Sequence, residues 1–143
     1  MIIIDSHTHL GDFPLFNVRL DAEGMIQIMN NWKISRSVVF SLPNEITLSA
    51  VKKYPDRLIG FVWVNPHESE GAVSLMRKAI TEWGFRGIKL HPLLHTYLPD
   101  QPIVNPIMDE AVKHRVPLLF HCGHPPWSLP WHFGNLAERY PEA

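Results

Sequence analysis

At 143 residues, with 45% hydrophobic content and a formal net charge of −1, the chain is sized for one domain with its own core, and its charge points to neither nucleic acid nor an anionic membrane surface. One cysteine, Cys122, excludes an intrachain disulfide and a cysteine-based zinc site, which makes a reducing cytoplasm the simplest location. The opening residues lack a basic stretch followed by a long apolar one, and no run approaches membrane-spanning length, so neither a leader nor a membrane partner is expected.

The first residues read as a strand. Ile2-Ile3-Ile4 is β-branched without helical period, which suits a strand covered on both faces. Alternate side chains of a strand share a face, so Asp5, His7 and His9 point the same way. Two imidazoles two residues apart can close on one metal ion, and the nine histidines of the chain make histidine its most unusual entry in composition. Leu10 to Pro14 reads as a loop, and Asp21 caps a helix running to about Ile34. Ser37–Phe40 is a second buried strand, Ile46–Tyr54 a short helix and Leu58–Val64 a third strand. Ala72, Val73, Met76, Ala79, Ile80 and Trp83 form the stripe of a long helix ended by Gly84. Gly87–His91 is a fourth strand, and Leu93–Pro102 shows no periodicity. A helix over Ile103–Val112 precedes a fifth strand, Pro117–His121, and Phe133–Tyr140 closes the series as a last helix.

Strict β-α alternation with near-continuous apolar strands predicts a parallel sheet in an α/β fold. A doubly wound sheet and a (β/α)₈ barrel of the TIM type both fit this alternation. The barrel is preferred because His7 and His9, Lys89 and His91, and His121 all fall at the C-terminal ends of different strands, where a barrel gathers its chemistry. On this reading residues 1–143 are a single barrel domain that is incomplete, about five of eight βα units, truncated at its C-terminal side.

Four stretches carry a resemblance: Ile4-Asp5-Ser6-His7-Thr8-His9, Tyr54-Pro55-Asp56-Arg57-Leu58-Ile59-Gly60-Phe61, Gly87-Ile88-Lys89-Leu90-His91-Pro92 and His121-Cys122-Gly123. Together they resemble the amidohydrolase-related family, whose members include metal-dependent hydrolases and nonoxidative decarboxylases. The resemblance implies His7 and His9 as first-strand ligands and His121 as fifth-strand ligand of one divalent ion, with zinc expected. It also implies a sixth-strand His and an eighth-strand Asp, the Asp serving as proton acceptor or donor. Neither has a counterpart before Ala143, so the catalytic residue is not identified. Metal-bound water, its pKa brought towards ~7, would supply hydroxide for attack on a small organic acid, lactone or amide. The alternatives are decarboxylation on the same scaffold and an inactive partial barrel with open, self-associating edges.

Other residues take supporting roles in this reading. Lys89, costly to bury unpaired in an apolar strand, is expected to pair with Asp5 or to bind a substrate carboxylate, with a structural ion pair as the alternative. His91 and His124 are expected to line the substrate site, and Asp5 to orient a ligand histidine. His67, His95, His114 and His132 are expected to face solvent, and Cys122 to be buried behind the barrel wall. Trp127 and Trp131, beside several prolines, fit a loop over the mouth or a subunit contact, so a homo-oligomer stays open.

Overall fold

The computed structural model describes residues 2–143. Five parallel strands alternate with helices and follow one another in chain order: β1 (Ile4–His9), β4 (Arg36–Phe40), β5 (Leu58–Trp63), β6 (Gly87–Leu90) and β7 (Leu118–Phe120). A short antiparallel hairpin, β2 (Gly11–Phe13) and β3 (Val18–Leu20), occupies the stretch expected to be a loop. The chain divides into two compact units, Met1–Trp63 and Val64–Ala143.

In the first unit, β1 pairs with β4, and β4 with β5. Helix α1 (Ala22–Asn31) begins where predicted: the Asp21 carboxylate accepts the Gly24 N–H at 2.8 Å and satisfies one of the donors a helix start leaves open. Helix α2 (Asn44–Lys53) follows β4. Leu10, Met25, Met29, Val39, Ala50 and Leu58 form the core of this unit, and each such burial contributes about 1.5–3 kcal/mol for a large side chain. Arg57 ties the base of the sheet by donating to the carbonyls of Ser35 and Ile34 at 3.0 and 3.1 Å. Asn44 closes the far end of β5, donating to the Trp63 carbonyl at 2.9 Å and accepting the Trp63 N–H at 2.8 Å.

The first strand departs from expectation. Ile2 is 80% exposed and Ile4 54%, so this stretch is not covered on both faces. The reason is position: β1 lies at the end of the strand order and pairs only with β4. Its register also slips between Asp5 and Thr8, which face Ser37 and Val39. A bulge of this kind breaks strict alternation and re-aims side chains.

In the second unit, α3 (Glu70–Thr81) packs against α5 (Asn105–His114), and β6 pairs with β7. Ala72, Met76, Ala79, Phe85, Ile88, Leu90, Ile107 and Ala111 are almost wholly buried. Arg77 of α3 grips Glu110 of α5 through two bonds of 3.2 and 2.9 Å, and Lys113 and His114 hold the same carboxylate. The stretch read as aperiodic contains a single-turn helix, α4 (Pro92–His95), and α6 (Pro130–Arg139) closes the chain. Among the described residues, no helix is long and apolar enough to cross a membrane.

Candidate metal centre

The bulge delivers His7 and His9 to the C-terminal end of β1, with ring centres 5.4 Å apart and planes tilted by 45°. Two imidazoles on one ion, each nitrogen about 2.0–2.1 Å from it, have ring centres roughly 4.5–5.5 Å apart, so this pair fits a shared cation. Aromatic edges fix the rings. His9 meets Phe40 at 4.5 Å, Trp63 at 5.5 Å and Phe13 at 5.9 Å, and His7 meets Phe40 at 5.1 Å. Phe40 and Trp63 end β4 and β5, so the sheet itself builds the cage. This cage escaped the sequence reading, although an aromatic residue closing each of two successive strands was its visible sign. Asp5 accepts the His7 backbone N–H at 3.0 Å through Oδ1, steadying the bulged backbone from which His7 projects.

In the second unit, Lys89 is wholly buried on β6, and burial lowers its ammonium pKa to about 8, with Cys122 opposing the fall. His91 lies just past the strand and caps α4, where its Nδ1 accepts the Leu94 N–H at 3.1 Å. That bond leaves Nε2 to carry the proton of the neutral ring. His121, just past β7, stacks on His91 with centres 3.9 Å apart and planes at 11°. Its Nε2 lies 2.9 Å from Nδ1 of His124. The second unit therefore brings His91, His121 and His124 together. Among the described residues, no group of three or more His, Cys, Asp or Glu side chains is arranged to hold a metal ion.

Two expectations are corrected. Cys122 is exposed, because β7 stops at Phe120 and strand alternation does not extend to residue 122. His132 is buried rather than solvent-facing: its Nδ1 bonds Asp100 Oδ1 at 2.9 Å, and Asn135 donates to the other carboxylate oxygen at 2.7 Å. His114 is half-buried and leans on Glu110 at 3.2 Å, whereas His67 is exposed, as expected, and bonds the His95 carbonyl at 2.9 Å.

No curated protein matches this sequence. Several solved structures share the fold. A Staphylococcus aureus protein classed as an amidohydrolase superposes with a TM-score of 0.81 at 19% identity, covering 99% of this chain and 65% of its own. The 5-carboxyvanillate decarboxylase of Novosphingobium aromaticivorans, solved with bound manganese, gives 0.79 at 17% identity, covering 99% of this chain and 64% of its own. A dihydroxybenzoic acid decarboxylase of Polaromonas, also with manganese, gives 0.70 at 16% identity, covering 97% and 53%. The chain thus spans roughly half to two thirds of the length of these structures. The architecture is that of an incomplete (β/α) barrel of the TIM type, as the strand-by-strand alternation predicts. Residues 4–143 match the sequence model of the amidohydrolase family, and the chain belongs to that family.

Proposed function

We propose that this chain is the metal-binding part of a divalent-metal-dependent enzyme that decarboxylates a small aromatic or unsaturated acid without oxidation. The observation that carries the metal reading is the His7–His9 pair, 5.4 Å between ring centres in its aromatic cage. The ligand pattern of the family adds His121 to the same set. The choice of reaction is supported by neighbours of the same fold that are decarboxylases, two of them solved with manganese. Manganese is therefore preferred here to the zinc expected from the sequence.

When bound, such an ion supplies Lewis-acid chemistry and a fixed point for a substrate carboxylate. The residues of this chain do the rest. His7 and His9 hold the ion from the first unit, and the family pattern expects His121 among its ligands. His91, whose Nδ1 accepts the Leu94 N–H, and Lys89, the cation of β6, are assigned to the carboxylate of the acid. The carbon–carbon bond to the carboxyl group breaks, its electron pair stays on the ring or chain carbon, carbon dioxide leaves, and that carbon takes a proton from water.

A hydrolytic reading is favoured by the family and by the S. aureus neighbour. It would act on a small lactone or amide. One experiment tests both. The chain, loaded with manganese or zinc, is offered hydroxybenzoic acids and, separately, small lactones and amides, with the His7→Ala/His9→Ala variant as control. Carbon dioxide from the acids supports decarboxylation, and ring-opened or cleaved product supports hydrolysis. Metal content equal in chain and control would overturn the metal reading altogether.

A further inference from the structure

We propose that His124 is a second nitrogen donor beside His121, so that the loop after β7 supplies a two-histidine seat for a divalent cation; this rests on the reading of His121 as a metal ligand given above. The two facing nitrogens, His121 Nε2 and His124 Nδ1, lie 2.9 Å apart, with ring centres at 4.9 Å and planes at 20°. Two imidazole nitrogens bound to one ion at about 2.0–2.1 Å stand roughly 3 Å apart, with ring centres roughly 4.5–5.5 Å apart. Both separations match. A proton on one of the two nitrogens bridges the pair. For both rings to serve as donors, the ring that carries it would hold its proton on the far nitrogen instead, leaving a lone pair on each facing nitrogen.

The backbone is built to hold His124 there. Ser128 is wholly buried, and its Oγ accepts the His124 N–H at 3.1 Å and donates to the His124 carbonyl at 3.3 Å. The Ser128 N–H reaches the same carbonyl at 3.0 Å, while the Gly123 N–H reaches the Ser128 carbonyl at 2.8 Å. Gly123 has φ +99°, in the region that favours glycine, and this lets the chain double back between His121 and His124. On its other side His121 is backed by the stacked ring of His91. The seat is therefore set from below by Ser128 and from the side by His91. A ligand residue held this way loses little freedom on binding.

The test uses the 143-residue chain and manganese(II) as the probe. Affinity is read by competition with a chelating dye, and pulsed electron paramagnetic resonance counts the imidazole nitrogens. His124→Ala is expected to weaken binding tenfold or more and to remove one imidazole from the count, with an unchanged thermal melt. If the Ala variant loses its cooperative melt, His124→Gln is judged on the same two readouts. The proposal is overturned if the variant keeps its affinity within twofold and its imidazole count, while His121→Ala lowers both. In that case His124 only hydrogen-bonds a ligand and the metal reading survives. If the unsubstituted chain binds no manganese, or His7→Ala and His121→Ala leave binding intact, the metal reading falls and this proposal with it.

Discussion

Lys89 offers the sharpest check on the physics of a charge buried in the sheet. It stands in an apolar strand at 0% exposure, and burial lowers its pKa from 10.5 to about 8, against the opposing influence of Cys122. Below pH 8 the ammonium is charged in both the folded and the unfolded chain, and the folded state bears the net cost that the lowered pKa expresses. Between about pH 8 and 10.5 the folded chain has released its proton and the unfolded chain has not, so stability rises with pH through this window. The pKa gap sets a ceiling of about 3 kcal/mol, and relaxation of a real interior reduces the working figure to about 2 kcal/mol. Lys89→Met keeps an unbranched side chain of similar length and removes the charge. The Met variant is expected to be more stable than the unsubstituted chain by about 2 kcal/mol at pH 7, the gap closing as pH approaches 10.5. Urea unfolding followed by tryptophan fluorescence at pH 7, 8.5 and 10 measures it, and groups that titrate in both proteins cancel from the difference. A gap that stays constant across this range, or a Met variant less stable throughout, would refute the reasoning. Either result would mean that a partner of the ammonium fully offsets its burial.

Glu110 works in the opposite direction. The Arg77 hydrogen bonds, chiefly, hold its carboxyl at about 2, so its contribution is complete above about pH 4.5 and is lost as pH falls towards 2. Arg77 and Lys113 are more than half exposed, so water screens the attraction; Glu110→Gln is expected to cost about 2 kcal/mol at pH 7 and less than half that at pH 3 by urea titration. Asp100 is pushed up by burial but brought net below the ordinary carboxylate range by its bonds to Asn135 and His132, and its backbone carbonyl holds Arg139. Asp100→Ala is expected to cost about 1–2 kcal/mol and to speed amide exchange in α6 more than in α5; equal protection of the two helices would contradict this. Asp21→Ala removes the cap of α1 and is expected to cost about 1 kcal/mol, with Asp21→Asn restoring most of it in the same unfolding assay.

What was legible in the sequence divides along one physical line. Features set by residues close in the chain were readable. Asp21 caps the helix that follows it, Gly84 adopts the left-handed conformation just past α3, and His7 and His9, two residues apart, come together as ring neighbours. Features that depend on a distant partner were not. The bulge in β1 exists only against β4, more than thirty residues away, so strict alternation could not foresee what it does to Asp5. His132 is buried because Asp100 lies across from it, with α5, β7 and the loop after β7 between them in sequence. Very short elements were missed for a different reason. The hairpin strands of Gly11–Leu20 have three residues each and α4 has four, too few to show a period of either kind.

The same line explains why the candidate ligand positions within each unit were only half visible. The histidines announce themselves by type and by position at strand ends, but what makes them usable is the support around them. The edges of Phe40 and Trp63 fix His9, and Ser128 fixes His124. Those supports come from the closing residue of a neighbouring strand in one case and from the far end of a loop in the other. Neither is a motif, because an aromatic residue ending a strand and a serine in a proline-rich loop are both ordinary in sequence. They acquire meaning once the strand ends are placed. It follows that substitutions at Phe40 or Ser128, which carry no ligand atoms, should disturb metal binding through ring orientation. A sequence-only search for the site would pass over both.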